Sequence, residues 1–184
     1  MTPSPAFRVL ARDGGEAVVV DREDYEPLTV ADPGLLPGYG VDAAVEWSDP
    51  PELADVTVVE RTLIEFVDGA SNLFEDALDA AEEARQEGVG VNSRVTYGQD
   101  GEPNGALYTF ADGPGASVFR EFRSGSRPLE PLVERVERPP PYEVFVLRPA
   151  TRPFVVVYIV FEKESVLADT VRDTYGCPRP PEEV

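Results

Sequence analysis

The longest uninterrupted apolar run in the chain is eight residues, Phe154 to Phe161, within the segment PFVVVYIVF. A bilayer-spanning helix needs about 20 such residues, so this run is too short to cross a membrane. Its wealth of valine and isoleucine predicts a strand. The preceding segment YEVFVLR (142–148) reads the same way. Pro149 and Pro153 sit at the margins of the two, where a strand tolerates a residue that donates no ladder hydrogen bond. These strands commit the C-terminal half to a sheet. If 154–161 lies at the sheet edge, its unpaired apolar flank invites a second copy of the chain, which is the basis for expecting a homodimer or a protein partner.

Upstream, the pattern changes once. FRVLA (7–11) and AVVVD (17–21) flank Asp13-Gly14-Gly15, a hairpin signal, and PLTV (27–30) and VDAAVEW (41–47) follow. Alternation in the last of these places Val41, Ala43, Val45 and Trp47 on one side. Ser48-Asp49-Pro50-Pro51 then interrupts the strands, because proline restricts both itself and the residue before it. The expected division is 1–55, a small all-β segment of barrel-like or sheet-extension character, and 56–184, an α+β domain. The second part opens with a long strand over 55–67. A helix follows with Ser71 or Asn72 as cap, Glu75 closing a capping box, and Phe74, Ala77, Leu78, Ala81 and Ala84 as its apolar stripe. A hairpin joins RVTYG (94–98) to ALYTF (106–110), and helical pieces follow near 117–123 and from Pro128. After the two late strands comes a helix capped by Ser165 and stopped by Gly176. The order β, α, β, β, α-α, β, β, α predicts an α+β fold: an antiparallel sheet with helices on one face, a ferredoxin-like split βαβ unit with an extra strand and helix.

The charge excludes several functions. The 35 acids oppose 16 bases, for a net charge of −19, and Lys163 is the only lysine. Residues 1–92 hold 21 acids and 5 bases, whereas 93–184 hold 14 and 11, so the acidity is concentrated in the first half. A nucleic-acid backbone is repelled by such a surface, which makes nucleic acid an unlikely partner. Single-stranded binding through Tyr25, Tyr39, Trp47 and Phe7 remains only as an alternative, because the neighbouring residues are acidic and core packing explains Trp47 and Phe7 better. Histidine is absent and Cys177 is the only cysteine, so imidazole bases, Ser-His and Cys-His nucleophiles, internal disulfides and zinc clusters cannot form. The start MTPSPAFRVL has no hydrophobic signal region, and a cytoplasmic location is expected.

Four stretches together resemble an uncharacterised acidic protein family of halophilic archaea. They are GASNLFEDALDAAEEAR, NSRVTYGQDGEPNGALYTFAD, FREFRSGSRPLEPLVERV and FVLRPATRPFVVVYIVFEKESVLADTVRDTYG, within residues 69–176. The resemblance implies a salt-rich cytosol and transfers no activity, cofactor or site. Physical chemistry points the same way: near 1 M salt the Debye length is about 3 Å, and repulsion among surface carboxylates is screened.

Three constellations deserve weighing. Asp100-Gly101-Glu102-Pro103-Asn104-Gly105 begins like a calcium loop but has Ala111 where a bidentate Glu belongs, and Asp-Gly and Asn-Gly are hairpin dipeptides, so a hairpin tip is expected. Glu60, Glu65 and Asp68 offer a carboxylate pair for acid/base work only if two of them share a pocket. In FREFRSGSRP (119–128) the serines, Gly125 and Pro128 chiefly spell a helix stop followed by a helix start, while Arg120 and Arg123 share one helix face and Arg127 follows the turn. Arg148 and Arg152 bracket the loop between the late strands. These five arginines are the anion-binding candidates, able to grip a carboxylate or phosphate by contact. The expected role is a soluble, non-catalytic binding or interaction module for an anionic small molecule, with no catalytic residue, cofactor or metal assigned. The competing reading is a histidine-free enzyme in which Arg120, Arg123 or Arg127 converges with Arg148 and a carboxylate base.

Overall fold

The computed structural model describes residues 6–112 and 117–179, so the outermost ends of both expected units lie outside the described residues. Its strands form two five-stranded sheets. The first is built from β1 (Phe7–Asp13), β2 (Glu16–Asp21), β3 (Pro27–Ala31), β4 (Gly40–Glu46) and β5 (Glu52–Glu60), in the order β3-β2-β1-β4-β5 with antiparallel pairing throughout. It curls around its own core of Val9, Val19, Val30, Tyr39, Val41 and Leu63. The curl brings its two edges together, and Ala31 N–H on β3 donates to Pro51 O beside β5 at 2.9 Å.

The second sheet contains β6 (Leu63–Ala70), β7 (Val91–Tyr97), β8 (Pro103–Ala111), β9 (Glu143–Pro149) and β10 (Phe154–Val160), in the order β6-β9-β10-β8-β7. Three of its pairings are antiparallel and β6 runs parallel to β9, so the sheet is mixed. A ferredoxin-like order would place β6 inside the sheet. Here β6 is an edge, and β10, the strand expected as an appendage, is central. Both flanks of β10 are paired, so it presents no free edge to a second chain.

Helices α1 (Glu75–Glu87) and α4 (Val166–Tyr175) cover one face of this sheet, over Phe145, Leu147, Phe154, Val156 and Tyr158. The short helices α2 (Val118–Ser124) and α3 (Glu130–Glu134) lie on the other face, between it and the first sheet. There Phe119, Phe122 and Leu129 meet Val155, Val157 and Ile159 from one side and Leu10 and Val20 from the other. Helices therefore occupy both faces rather than one. The continuous apolar run of β10 has this cause: all seven of its residues are buried because both faces are covered.

Two local expectations change. The strand expected over 55–67 is two strands in different sheets, exchanged at Arg61-Thr62. The buried Thr62 hydroxyl donates to Glu60 Oε1 at 2.7 Å and accepts Tyr142 N–H at 3.0 Å, which ties the crossover to β9. Helix α1 begins at Glu75 with Phe74 as N-cap, so no capping box forms from Asn72. In contrast, Ser165 Oγ accepts Ala168 N–H at 3.3 Å and Gly176 closes α4 in the left-handed conformation. Gly38 is constrained doubly: its φ is +106°, and a Cβ there would stand 2.4 Å from Thr62 O.

Candidate functional site

The FREFRSGSRP segment becomes α2, a left-handed Gly125 that stops it, and the approach to α3. Val118, Phe119 and Phe122 are buried, which turns Arg120 and Arg123 outward over the first sheet. Both line a groove of about 480 Å³ with Asp13 and Glu16 from the β1–β2 hairpin, and among the described residues neither forms an ion pair. Arg127 does not join them. Its Nη2 donates to Glu121 Oε1 at 3.2 Å, and its guanidinium lies over the rings of Phe110 and Phe122, at 6.0 and 5.9 Å from their centroids. Arg148 is on the far sheet, 3.8 Å from Asp68. Arg152 stands elsewhere again, at the rim of a second cavity. The five candidates thus fall at four places, and the convergence required by a histidine-free enzyme does not form. The carboxylates weighed for acid/base work are likewise engaged apart from one another: Glu60 with Arg8 and Arg22, Glu65 with Arg172 and Asp68 with Arg148.

The strongest electrostatics in the molecule is internal. Arg8 is 2% exposed; its Nε and Nη2 grip Glu130 at 2.8 and 2.9 Å, and Nη1 donates to Gly38 O at 2.8 Å and Glu60 Oε1 at 3.1 Å. Arg22 closes the cluster onto both carboxylates. Burial alone would push the Glu130 carboxyl up, but the hydrogen bonds and charges of Arg8 and Arg22 outweigh it and hold the group below its ordinary value. A second cluster joins Arg172 to Glu143 at 2.6 Å and to Glu65 at 3.0 Å, with Glu143 Oε2 accepting Glu164 N–H. Every carboxylate in these clusters is held by an arginine, and the cavity lined by Arg8 and Glu130 is only about 10 Å³. They fasten the layers of the fold together, although Arg172 Nη2 is buried without a hydrogen-bond partner.

The aromatic platform does not assemble. Tyr39 is buried in the first sheet's core, and Trp47, expected in that core, is 76% exposed at the end of β4. The Asp100–Gly105 segment forms the β7–β8 hairpin, with Asp100 Oδ1 accepting Glu102 N–H at 3.0 Å.

Sequence reasoning did not reach the second cavity, which lies between α1 and the sheet and measures about 790 Å³. Helix α1 presents alanines to the sheet; Ala81 and Ala84 are too short to fill the space above β8 and β10. Leu78, Pro153 and Phe154 complete an apolar lining. The exception is Thr109, on the face of β8 that also carries Leu107. It is 2% exposed, it lines the cavity, and its hydroxyl has no hydrogen-bond partner. At the rim, Arg85 is bound to Glu82 at 2.7 Å and Asp112 Oδ1 accepts Val118 N–H at 3.3 Å. Asp79 stands 3.9 Å from Arg94. Arg152, also in the lining, lies within electrostatic reach of Glu82.

Fold and site together define a two-sheet α+β protein with a cavity between α1 and the second sheet. The chain belongs to a family of unknown function (DUF6663), whose model matches residues 1–180 and so spans both sheets. No curated protein and no solved structure matches it. Among the described residues, no helix is long and apolar enough to cross a membrane.

Proposed function

We propose that this protein is a non-catalytic binding module that holds a small organic molecule in the cavity between α1, β8 and β10. The observation that carries this reading is the cavity itself, about 790 Å³, with Leu78, Ala81, Ala84, Pro153 and Phe154 in its lining. The volume lies within the range typical of small-molecule sites, and an apolar lining with few polar groups is their usual chemistry. A salt-rich cytosol is part of the proposal: its acidic surface suits concentrated salt, where ligand capture depends on burial and short contacts rather than long-range charge.

The test is an amide-shift NMR screen with neutral apolar fragments in molar KCl, run on the native chain and on Ala81→Phe, which fills the cavity. Fragment-induced shifts confined to α1, β8 and the start of β10, and lost in Ala81→Phe, are the expected result. Shifts scattered over the surface, or unchanged in the variant, would refute the assignment.

A further inference from the structure

Independently of the cavity, we infer that β7 is an association edge whose occupant is β7 of a second copy of this chain, paired antiparallel across a two-fold axis so that the second sheets of both copies become one continuous sheet. The other sheet edges are closed or charged. Ala31 N–H to Pro51 O joins the edges of the first sheet, and β6, at the far end of the second, gives Ile64 N–H to Pro37 O and carries Glu65 and Asp68. Edge strands left open in this way template pairing with another chain unless charge or cover blunts them. Among the described residues β7 has neither protection: no strand pairs with its outer flank, and its single charge, Arg94, is turned toward α1, where it meets Glu83 at 2.9 Å.

Ladder parity shows what this flank offers. Ala111 N–H donates to Gly90 O at 2.8 Å and Gly98 N–H donates to Glu102 O at 2.9 Å, so the even-numbered residues of β7 bond to β8. Alternate residues of an antiparallel strand face the other way, and the N–H and C=O groups of Val91, Ser93, Val95 and Tyr97 therefore point outward. Of these, Ser93 N–H is taken, by Asn92 Oδ1 at 2.9 Å. The side chains of Val91, Val95 and Tyr97 are 51, 45 and 63% exposed and lie on one face of the sheet, the face that carries Phe110. With Val89 they make up most of the large apolar side chains exposed among the described residues, and that concentration, unlike scattered exposed hydrophobics, marks an interaction surface.

Charge selects a second copy as the occupant. Residues 88–99 contain no Asp or Glu in a chain of net charge −19, so two copies meet along this strand without setting carboxylate against carboxylate in the ladder. A basic strand from another protein finds no carboxylate on β7 to pair with, and an acidic one meets the repulsion of the whole molecule. A two-fold axis centred on Val95 sets Val95 beside its copy and Ser93 beside Tyr97 of the second copy, so apolar face meets apolar face. The same register places each Arg94 beside Thr96 and keeps the two guanidiniums from standing opposite each other. It also brings both α1 helices to the same side, where molar salt screens their acids.

The experiment is light scattering on the full chain in molar KCl, from dilute solution to about 1 mM protein, with amide hydrogen exchange of β7 followed by NMR at both ends of the range. The expected result is a mass that rises with concentration toward twice the 20.1 kDa of one chain, with slowed exchange at Val91, Val95 and Tyr97. Val95→Lys, which sets a charge against its own copy at an exposed position, should weaken association at least about tenfold and restore fast exchange. Trp47→Lys, at an exposed apolar residue beside β4, should leave the mass unchanged. A mass that stays at one chain throughout would overturn the inference and leave the edge to a strand of another protein. Association that leaves the β7 amides unprotected, persists undiminished in Val95→Lys or is abolished by Trp47→Lys would overturn it by placing the contact elsewhere.

Discussion

Glu130→Gln keeps the size of the side chain and removes the charge that Arg8 and Arg22 share. In the folded protein Arg8 would keep Glu60 and Gly38 O but lose the carboxylate that holds two of its nitrogens, at 2.8 and 2.9 Å. Breaking a buried ion pair from one side costs about 3–5 kcal/mol, since the remaining charge stays out of water without compensation. Retention of Glu60 places the cost near the lower end, about 3 kcal/mol. For a domain of this size that lowers the melting temperature by about 6–12 °C. The control is Arg12→Gln, which breaks the half-exposed pair with Asp32 at 2.9 Å and should cost under about 1 kcal/mol. Thermal denaturation followed by circular dichroism in molar KCl compares the two. Equal, small shifts would show that the cluster does not bind the first sheet to α3, and the account of how the layers are fastened would fail.

Three further outcomes follow from the same structure. The Glu130 carboxyl sits below its ordinary value of 4.5, so its contribution is complete above that pH and is lost as pH falls through the lower folded value; Glu130→Gln should flatten the acid limb of the stability curve measured by urea denaturation. Gly38→Ala should cost well over 1 kcal/mol, from a positive φ and a Cβ driven against the Thr62 carbonyl, and an unchanged urea midpoint would disprove the close approach. With a net charge of −19, the melting temperature should rise from dilute buffer to molar KCl as repulsion is screened; a flat or falling dependence would count against the salt-adapted reading.

Four strands of the first sheet, β1 to β4, and both late strands were legible because alternation and continuous apolar runs are local signals. The exchange between β5 and β6 was not, since Arg61-Thr62 contains no proline or glycine and is set by Thr62 meeting Tyr142 from 80 residues away. Strand order was equally hidden: only pairing with both β8 and β9 makes β10 central. The ionic clusters had a faint signal in Arg8 within FRVLA and Glu143 within YEVFVLR, lone charges in apolar strands, but their partners lie far along the chain. Among the arginines, sequence proximity misled. Arg120 and Arg127 are seven positions apart yet point to different surroundings, because Gly125 ends the helix between them. The cavity's trace was the alanine-rich face of α1, which in sequence reads as ordinary helix packing.

The most direct measurement of the central claim is crystallographic fragment screening at high salt, with the density between α1 and the sheet as the readout. The account predicts an open cavity that takes up fragments against Leu78, Ala81 and Phe154. An α1 seated flush on β8, with no fragment beneath the helix, would contradict it.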